Sequence, residues 1–174
     1  YLVESIRRLK RKVVCVLHQV FPQYPSIFSN IFGRTPKEIL LQFSSPIDVE
    51  NISSETLAEL LEQLSRQKVS AEKAEQLKAA ASSSFGVTFA KNSFTFQLKA
   101  LIEQISFIEN QVKETEAEIS SIMEKLESPI TTITGIGNVT GAAIISEIGD
   151  ISKFDGPGKR VAFAGFDDSV TQSG

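Results

Sequence analysis

Residues 94–126 read FTFQLKALIEQISFIENQVKETEAEISSIMEKL, and the spacing of the apolar residues in this stretch decides the fold. Apolar side chains recur at alternating intervals of four and three residues, which is the spacing of a coiled-coil seam on one long helix. We call this set the heptad seam; its members are Phe94, Leu98, Leu101, Ile105, Ile108, Val112, Thr115, Ile119, Ile122 and Leu126, of which only Thr115 is polar. A single helix cannot bury such a stripe by itself. We therefore predict that residues 94–126 pair with a second copy of the chain, as a homodimer or higher homo-oligomer, in preference to the N-terminal helix folded back.

The rest of the chain also has helical spacing. Thr35-Pro36-Lys37-Glu38 is typical of a capping box that begins a helix, and Gly86 and Gly149 are expected to end helices. The predicted helices span residues 3–20, 35–43, 57–64, 70–81, 138–148 and 159–164. The pattern predicts an all-α protein: a helical segment, a long coiled-coil helix and a small helix-hairpin-helix-like C-terminal domain.

Composition excludes several classes of protein. Apolar residues make up 41% of the chain and charged residues 22%, which indicates a folded and not a disordered sequence. The single cysteine, Cys15, excludes an internal disulfide framework and fits a reducing cytoplasm. No apolar run is long enough to span a membrane and no secretory signal is visible, so we expect no membrane partner.

Basic residues cluster near the N-terminus although the formal net charge is −3. The cluster consists of Arg7, Arg8, Lys10, Arg11 and Lys12, whereas acidic residues concentrate between 103 and 127. Such a cluster can neutralise nucleic-acid phosphates by counterion release. The alternative is a solvated helix face, which is what most charge runs are.

A second candidate nucleic-acid contact is the glycine hairpin, which we define as Gly135, Ile136, Gly137, Asn138, Val139 and Thr140. Two glycines around one apolar residue permit a tight turn, and the amides at the start of the following helix would point at a phosphate. The alternative is an ordinary helix–turn–helix corner in which the glycines serve geometry alone.

Other polar residues give weaker signals. Glu147 with Asp150 could in principle hold Mg²⁺, as could Asp167 with Asp168, but capping and solvation explain them equally well, and we predict no metal site. Cys15 and His18 lack a third ligand at zinc spacing and are expected to be packing residues. Ser173 has no neighbouring base, so its own surroundings in the sequence indicate a loop serine.

The C-terminal block resembles a known family of mobile-element enzymes. The segments that carry the resemblance are Thr134–Thr140, Ser146–Ile151, Phe154, Ala162–Asp167 and Gln172-Ser173-Gly174. They are similar to the C-terminal domain of the DEDD insertion-sequence transposases, also called bridge-RNA-guided recombinases. This resemblance implies DNA as a partner, a guide RNA, and a catalytic serine at Ser173 that forms a covalent phosphoserine link to DNA. It also implies a RuvC-like domain whose four acidic residues bind Mg²⁺; these have no counterpart here and are expected before Tyr1.

The resemblance divides the chain into four segments. Residues 1–30 are the basic helix at the end of the RuvC-like nuclease domain, 31–92 an insertion of short helices, 93–127 the coiled-coil linker, and 128–174 the first part of the serine domain. The expected function is DNA strand cleavage and exchange in a bacterial or archaeal, nucleoid-associated protein, of which this chain is an inactive fragment without cofactor. Two alternatives stay open: a non-catalytic helix-hairpin-helix dimer that binds nucleic acid, and a purely structural coiled-coil adaptor.

Overall fold

A computed structural model of the protein describes residues 1–65, 70–86 and 91–165. All regular structure in these ranges is helical and contains no strand, which confirms the all-α prediction. The helices are α1 (Leu2–Val20), α2 (Tyr24–Ile27), α3 (Arg34–Gln42), α4 (Pro46–Asn51), α5 (Ser54–Leu64), α6 (Ser70–Ser82), α7 (Lys91–Leu126), α8 (Asn138–Ile148) and α9 (Pro157–Phe163). Short 3₁₀ turns cover Pro129–Thr132 and Ile151–Lys153. Two compact units result, one from Tyr1 to Lys113 and one that begins at Glu114.

The first unit has one continuous hydrophobic core. It joins residues that the predicted boundaries at 30 and 92 assign to three separate segments. The fully or nearly fully buried side chains come from α1 to α7 and the loops between them: Val13, Val16, Leu17, Val20, Phe21, Tyr24, Ile27, Ile39, Leu40, Val49, Leu57, Leu61, Ala74, Leu77, Ala81, Leu98, Leu101, Ile102 and Ile105.

The first half of the heptad seam therefore lies inside this chain's own core. Leu98 and Ile105 are completely buried, and Leu101 is nearly so, in the same cluster as the apolar stripe of α1. The prediction that the whole of 94–126 pairs with a second copy is wrong for this half, because these side chains already have partners. The later seam positions Ile122 and Leu126 are 48% and 55% exposed.

Two helix ends differ from their predicted positions for identifiable reasons. The predicted capping box at Thr35 is wrong: α3 begins at Arg34 after Gly33, and the Thr35 hydroxyl donates to the carbonyl oxygen of Leu64 at 3.1 Å instead. Ser45 caps α4, because its hydroxyl accepts from the Asp48 amide while the Asp48 carboxylate accepts from the Ser45 amide. The short helix α4 was not predicted.

Gly86 does not end a helix, since α6 stops at Ser82. It lies instead against the C-terminal end of α1, where a Cβ on Gly86 would stand 2.0 Å from the carbonyl oxygen of Val20. Only a residue without a side chain permits this approach. The segment after α6 is thereby held against α1 inside the first unit.

In the second unit, α8 packs on the 3₁₀ turn at Pro129–Thr132 and on the end of α7. Gly141 is the buried residue of α8, and a Cβ there would meet Ile130 at 3.0 Å and Met123 at 3.2 Å. Met123 is 4% exposed although it is not a seam position. This close packing holds the turn before α8 in place.

Candidate nucleic-acid interface

The glycine hairpin is a tight turn that leads directly into α8. The Ser128 hydroxyl accepts from the amide of Ile130 and caps the preceding 3₁₀ turn. A β-turn follows, in which the amide of Ile136 donates to the carbonyl oxygen of Ile133 at 3.0 Å. Gly135 occupies the third position of this turn with φ of +90°, a conformation that favours glycine. The predicted role of Gly135 in the turn is confirmed.

The N-terminus of α8 is open. Gly137 is its N-cap residue and supplies no side-chain acceptor, and the amides of Asn138, Val139 and Thr140 have no hydrogen-bond acceptor among the described residues. Apart from its neighbours in the chain, no described residue comes within 4 Å of a Cβ built on Gly135 or on Gly137. Uncapped amides at a helix N-terminus carry partial positive charge and suit an anion. The hairpin thus offers both the donors and the free space that a phosphate needs.

The side chains of the hairpin leave its outer surface free. Val139, at 45% exposure, and Thr140 face solvent, while Ile136 and Asn138 are half-buried. No carboxylate lies within the hairpin sequence. A phosphate there would be bound by the backbone, which positions a nucleic acid without reading its bases.

The basic cluster belongs to the first unit, on α1, and its five cations do not share one environment. Arg7, Arg8, Arg11 and Lys12 are exposed. Arg7 and Arg11 pair with Glu4 at 3.4 Å and 3.6 Å, through side chains that are all mostly exposed. Exposed pairs of this kind contribute about 0–1 kcal/mol, so both cations remain available to a stronger anion.

Lys10 has a different role from its neighbours. Its ammonium lies 3.3 Å from the carboxylate of Glu109 on α7 and 5.1 Å from the ring centre of Phe32. Lys37 on α3 holds the same carboxylate at 2.7 Å. Burial alone would raise the pKa of Glu109, but the hydrogen bonds and charges of Lys37 and Lys10 outweigh burial and lower it. Lys10 is therefore an internal ion-pair residue, and its prediction as a nucleic-acid contact is not supported by this geometry.

A shallow groove beside α1 includes residues that the sequence did not single out. Gln97 of α7 lines it together with Gln19 and Cys15 of α1 and the three cations Arg8, Arg11 and Lys12. Nothing in the sequence pairs residue 97 with the basic cluster, since the two are far apart along the chain. Only the folding of α1 and α7 into one core brings them together.

Candidate ligating residues do not assemble in the described ranges. Cys15 and His18 are exposed on α1, so the prediction that they pack inside the protein is wrong. The Asp150 carboxylate accepts from the Ser152 amide at 2.9 Å at the start of the second 3₁₀ turn, and this hydrogen bond lowers the pKa of Asp150. Among residues 1–65, 70–86 and 91–165, no three His, Cys, Asp or Glu side chains form a group that could hold a metal ion. Ser173, Asp167 and Asp168 lie outside the described residues.

Comparison with known proteins bears on the C-terminal part of the chain. The model of the Transposase IS116/IS110/IS902 family matches residues 127–174, a stretch that includes the glycine hairpin and Ser173. This match supports a transposase and a role in insertion-sequence transposition, which is the coarser part of the resemblance drawn from the sequence. It covers less than a third of the chain. No curated protein and no solved structure matches the chain. None of the described helices has the length and apolar content needed to cross a membrane.

Proposed function

We propose that this chain is part of a DNA transposase or recombinase that mobilises an insertion sequence by cleaving and exchanging DNA strands. The observation that carries the proposal is the family match over residues 127–174, because the matched segment contains the phosphate-compatible hairpin. In this proposal DNA is the substrate, a guide RNA selects the sites, and the hairpin holds one phosphate of the DNA backbone.

Ser173 is the nucleophile in the proposed reaction. Its hydroxyl oxygen attacks a backbone phosphorus, an O–P bond to the serine forms, and the P–O bond to one sugar oxygen breaks. The serine proton passes to a base and the released sugar oxygen takes up a proton. A phosphodiester between the serine and the DNA thus replaces the phosphodiester of the DNA backbone. Because the bond energy is retained in the phosphoserine ester, a second strand can be joined by the reverse reaction.

The resemblance also implies Mg²⁺ in the complete protein. The described residues do not fit such a site, since no suitable group of carboxylates assembles in them. The proposal therefore assigns the metal to carboxylates other than the described ones and routes no step through it here.

Homo-oligomerisation is part of the proposal, and the contact between copies is assigned to the second half of the heptad seam. The spacing of four and three residues continues from Ile108 to Leu126, and Ile122 and Leu126 are exposed. Two serine domains in one assembly would suit an exchange between paired strands.

A covalent-adduct assay tests the nucleophile. The full-length parent protein is incubated with labelled element-end DNA, its guide RNA and Mg²⁺, and the products are separated on a denaturing gel. We expect a protein–DNA adduct that disappears in Ser173→Ala and persists in Ser169→Ala, a matched serine four positions earlier.

Two results would contradict the proposal. An adduct that survives Ser173→Ala places the nucleophile elsewhere. No adduct in any of the three proteins, together with duplex binding by the hairpin, favours the non-catalytic helix-hairpin-helix dimer.

A further inference from the structure

We propose a second DNA-binding surface in the first unit, formed by one face of α1 and the adjoining residue of α7. We call it the basic face and define it as Arg8, Arg11 and Lys12 with the flanking amides of Gln19 and Gln97. Its ligand is the sugar-phosphate backbone of duplex DNA. The choice of DNA as the nucleic acid rests on the proposed function, whereas the surface itself stands on the geometry of the first unit.

The cations of the basic face are concentrated within little more than one helical turn. Positions i, i+3 and i+4 of a helix lie on one side, with Cβ atoms about 5–6 Å apart. From such neighbouring positions, the long side chains of arginine and lysine can reach successive phosphates of one strand. Arg8 and Lys12 have no ion-pair partner among the described residues, and both are exposed. The face therefore presents uncompensated positive charge at a spacing that a phosphate backbone can meet.

Glu4 limits this surface at its N-terminal end. Its carboxylate lies 3.6 Å from Arg11 and 3.4 Å from Arg7, so it neutralises part of the charge in the absence of a ligand. A polyanion would compete with Glu4 for Arg11. Removal of the carboxylate should consequently strengthen binding.

The chemistry of the groove favours a duplex backbone over exposed bases. None of its lining residues is aromatic, so it offers no platform on which an unpaired base could stack. Arginine, lysine and glutamine side chains are instead common donors to phosphate and sugar oxygens. The cations also stand on α1, whose apolar side is fixed in the core of the first unit. The positions of these donors along α1 are therefore fixed, which suits the regular phosphate backbone of a duplex.

The salt dependence of DNA binding tests the basic face. The 174-residue chain is titrated against a labelled 20-base-pair duplex of arbitrary sequence, and log K is plotted against log salt concentration. Each phosphate contact contributes a slope of about −0.9. We expect the double variant Arg8→Gln/Lys12→Gln to reduce the magnitude of the slope by roughly 1.8. Glu4→Gln is expected to bind several-fold more tightly.

Two matched variants serve as controls. Arg34→Gln/Lys113→Gln removes the same two charges from exposed positions of the first unit outside the groove. Lys10→Gln removes a member of the same sequence cluster that pairs with Glu109. Both should leave the slope unchanged, and circular dichroism should show that each variant retains the helical content of the parent chain.

The inference is overturned by three outcomes. The control double variant could reduce the slope as much as Arg8→Gln/Lys12→Gln, which would indicate general charge attraction. The slope could remain unchanged in Arg8→Gln/Lys12→Gln. A 20-base-pair RNA duplex could displace the DNA at lower concentration than unlabelled DNA does, which would make the face an RNA site. Failure of the adduct assay at Ser173 contradicts the proposed function alone, because this titration requires no strand cleavage.

Discussion

The two glycines of the hairpin look equivalent in the sequence, yet the structure explains the absence of a side chain differently at each position. Gly135 has φ of +90° and is required by the backbone of the turn. Gly137 has φ of −87° and ψ of 176°, an extended conformation that any residue adopts, and no atom lies near its Cβ position. Geometry alone therefore does not require glycine at 137. Glycine at 137 would be required if a ligand approached the amides of α8, because a side chain there would block it.

Gly137→Asp separates helix stability from DNA binding. Aspartate is a favourable N-cap residue, and its carboxylate can accept from the free amides of α8, so the unfolding free energy should rise by a few tenths of a kcal/mol. The same carboxylate would occupy and repel the phosphate site. Hydrogen bonds to a charged group are worth about 1.5–3 kcal/mol, so we expect duplex affinity to fall at least about tenfold.

The measurement pairs thermal unfolding with a duplex titration at low salt. Gly158→Asp is the control, because it adds the same charge at an exposed glycine of the same unit whose Cβ position is also free. Equal losses of affinity in the two variants would show that added charge, and not the hairpin, is responsible.

At the scale of the element, helices with their own start signals were predictable and short helices were not. Gly149, with φ of +62°, follows the last residue of α8 as predicted, whereas α5, capped by Ser53, begins three residues before the predicted start at 57. The helices α2 and α4 have only four and six residues. Helices this short are not stable alone and form only because tertiary packing holds them. Their sequences are also too short to show a helical spacing of apolar residues.

The heptad seam shows a related limit. Its period correctly predicts one long helix, α7, of 36 residues. The period describes which side chains share a stripe but contains no information about what covers them. Leu98 and Ile105 are covered by the chain's own core, and the ion pair between Glu109 and Lys37 joins α7 to α3. Those partners come from distant parts of the sequence, as do Gln97 and the cations beside it.

Gly86→Ala tests the close approach between α1 and the segment after α6. The new Cβ would stand 2.0 Å from the carbonyl oxygen and 2.6 Å from the carbonyl carbon of Val20. These are backbone atoms at the end of α1, and they cannot move aside as the tip of a flexible side chain does. Overpacking of this kind typically costs about 1–3 kcal/mol, and we expect at least that loss in a urea unfolding experiment.

Phe85→Ala is the neighbouring control. The Phe85 side chain is 81% exposed, so a larger change in side-chain volume should leave stability within about 0.5 kcal/mol. If Gly86→Ala unfolds at the same urea concentration as the parent chain, the contact with Val20 is not tight in solution.

At the scale of the whole molecule, the two units carry different parts of the proposed function. The first presents the basic face, and the second presents the glycine hairpin in the segment that matches the transposase family. The turn of the hairpin was predicted correctly because it depends on consecutive residues of the backbone, whereas its contact with nucleic acid stays a prediction. The basic face was predicted only in part, because the sequence grouped Lys10 with cations from which the fold separates it. Ser173 lies outside the described residues, so its role is still a prediction from the resemblance.

The second half of the heptad seam leads to a prediction about assembly. Ile122 and Leu126 are exposed large apolar residues at seam positions, and such a stripe on a long helix is stabilised when a second helix covers it. We expect the chain to form a dimer in analytical ultracentrifugation. Ile122→Gln/Leu126→Gln should weaken this dimer by more than about a hundredfold, since each buried aliphatic side chain contributes about 1.5–3 kcal/mol.

Glutamine keeps the helix propensity of these positions, so the change acts on the contact and not on the helix. Glu118→Gln/Glu124→Gln is the matched control at two exposed positions of α7 outside the seam, and it should leave the dimer intact. A parent chain that sediments as a monomer at micromolar concentration would refute self-association through this stripe. A dimer that persists in Ile122→Gln/Leu126→Gln would place the interface elsewhere, because the other half of the seam is already buried within each chain.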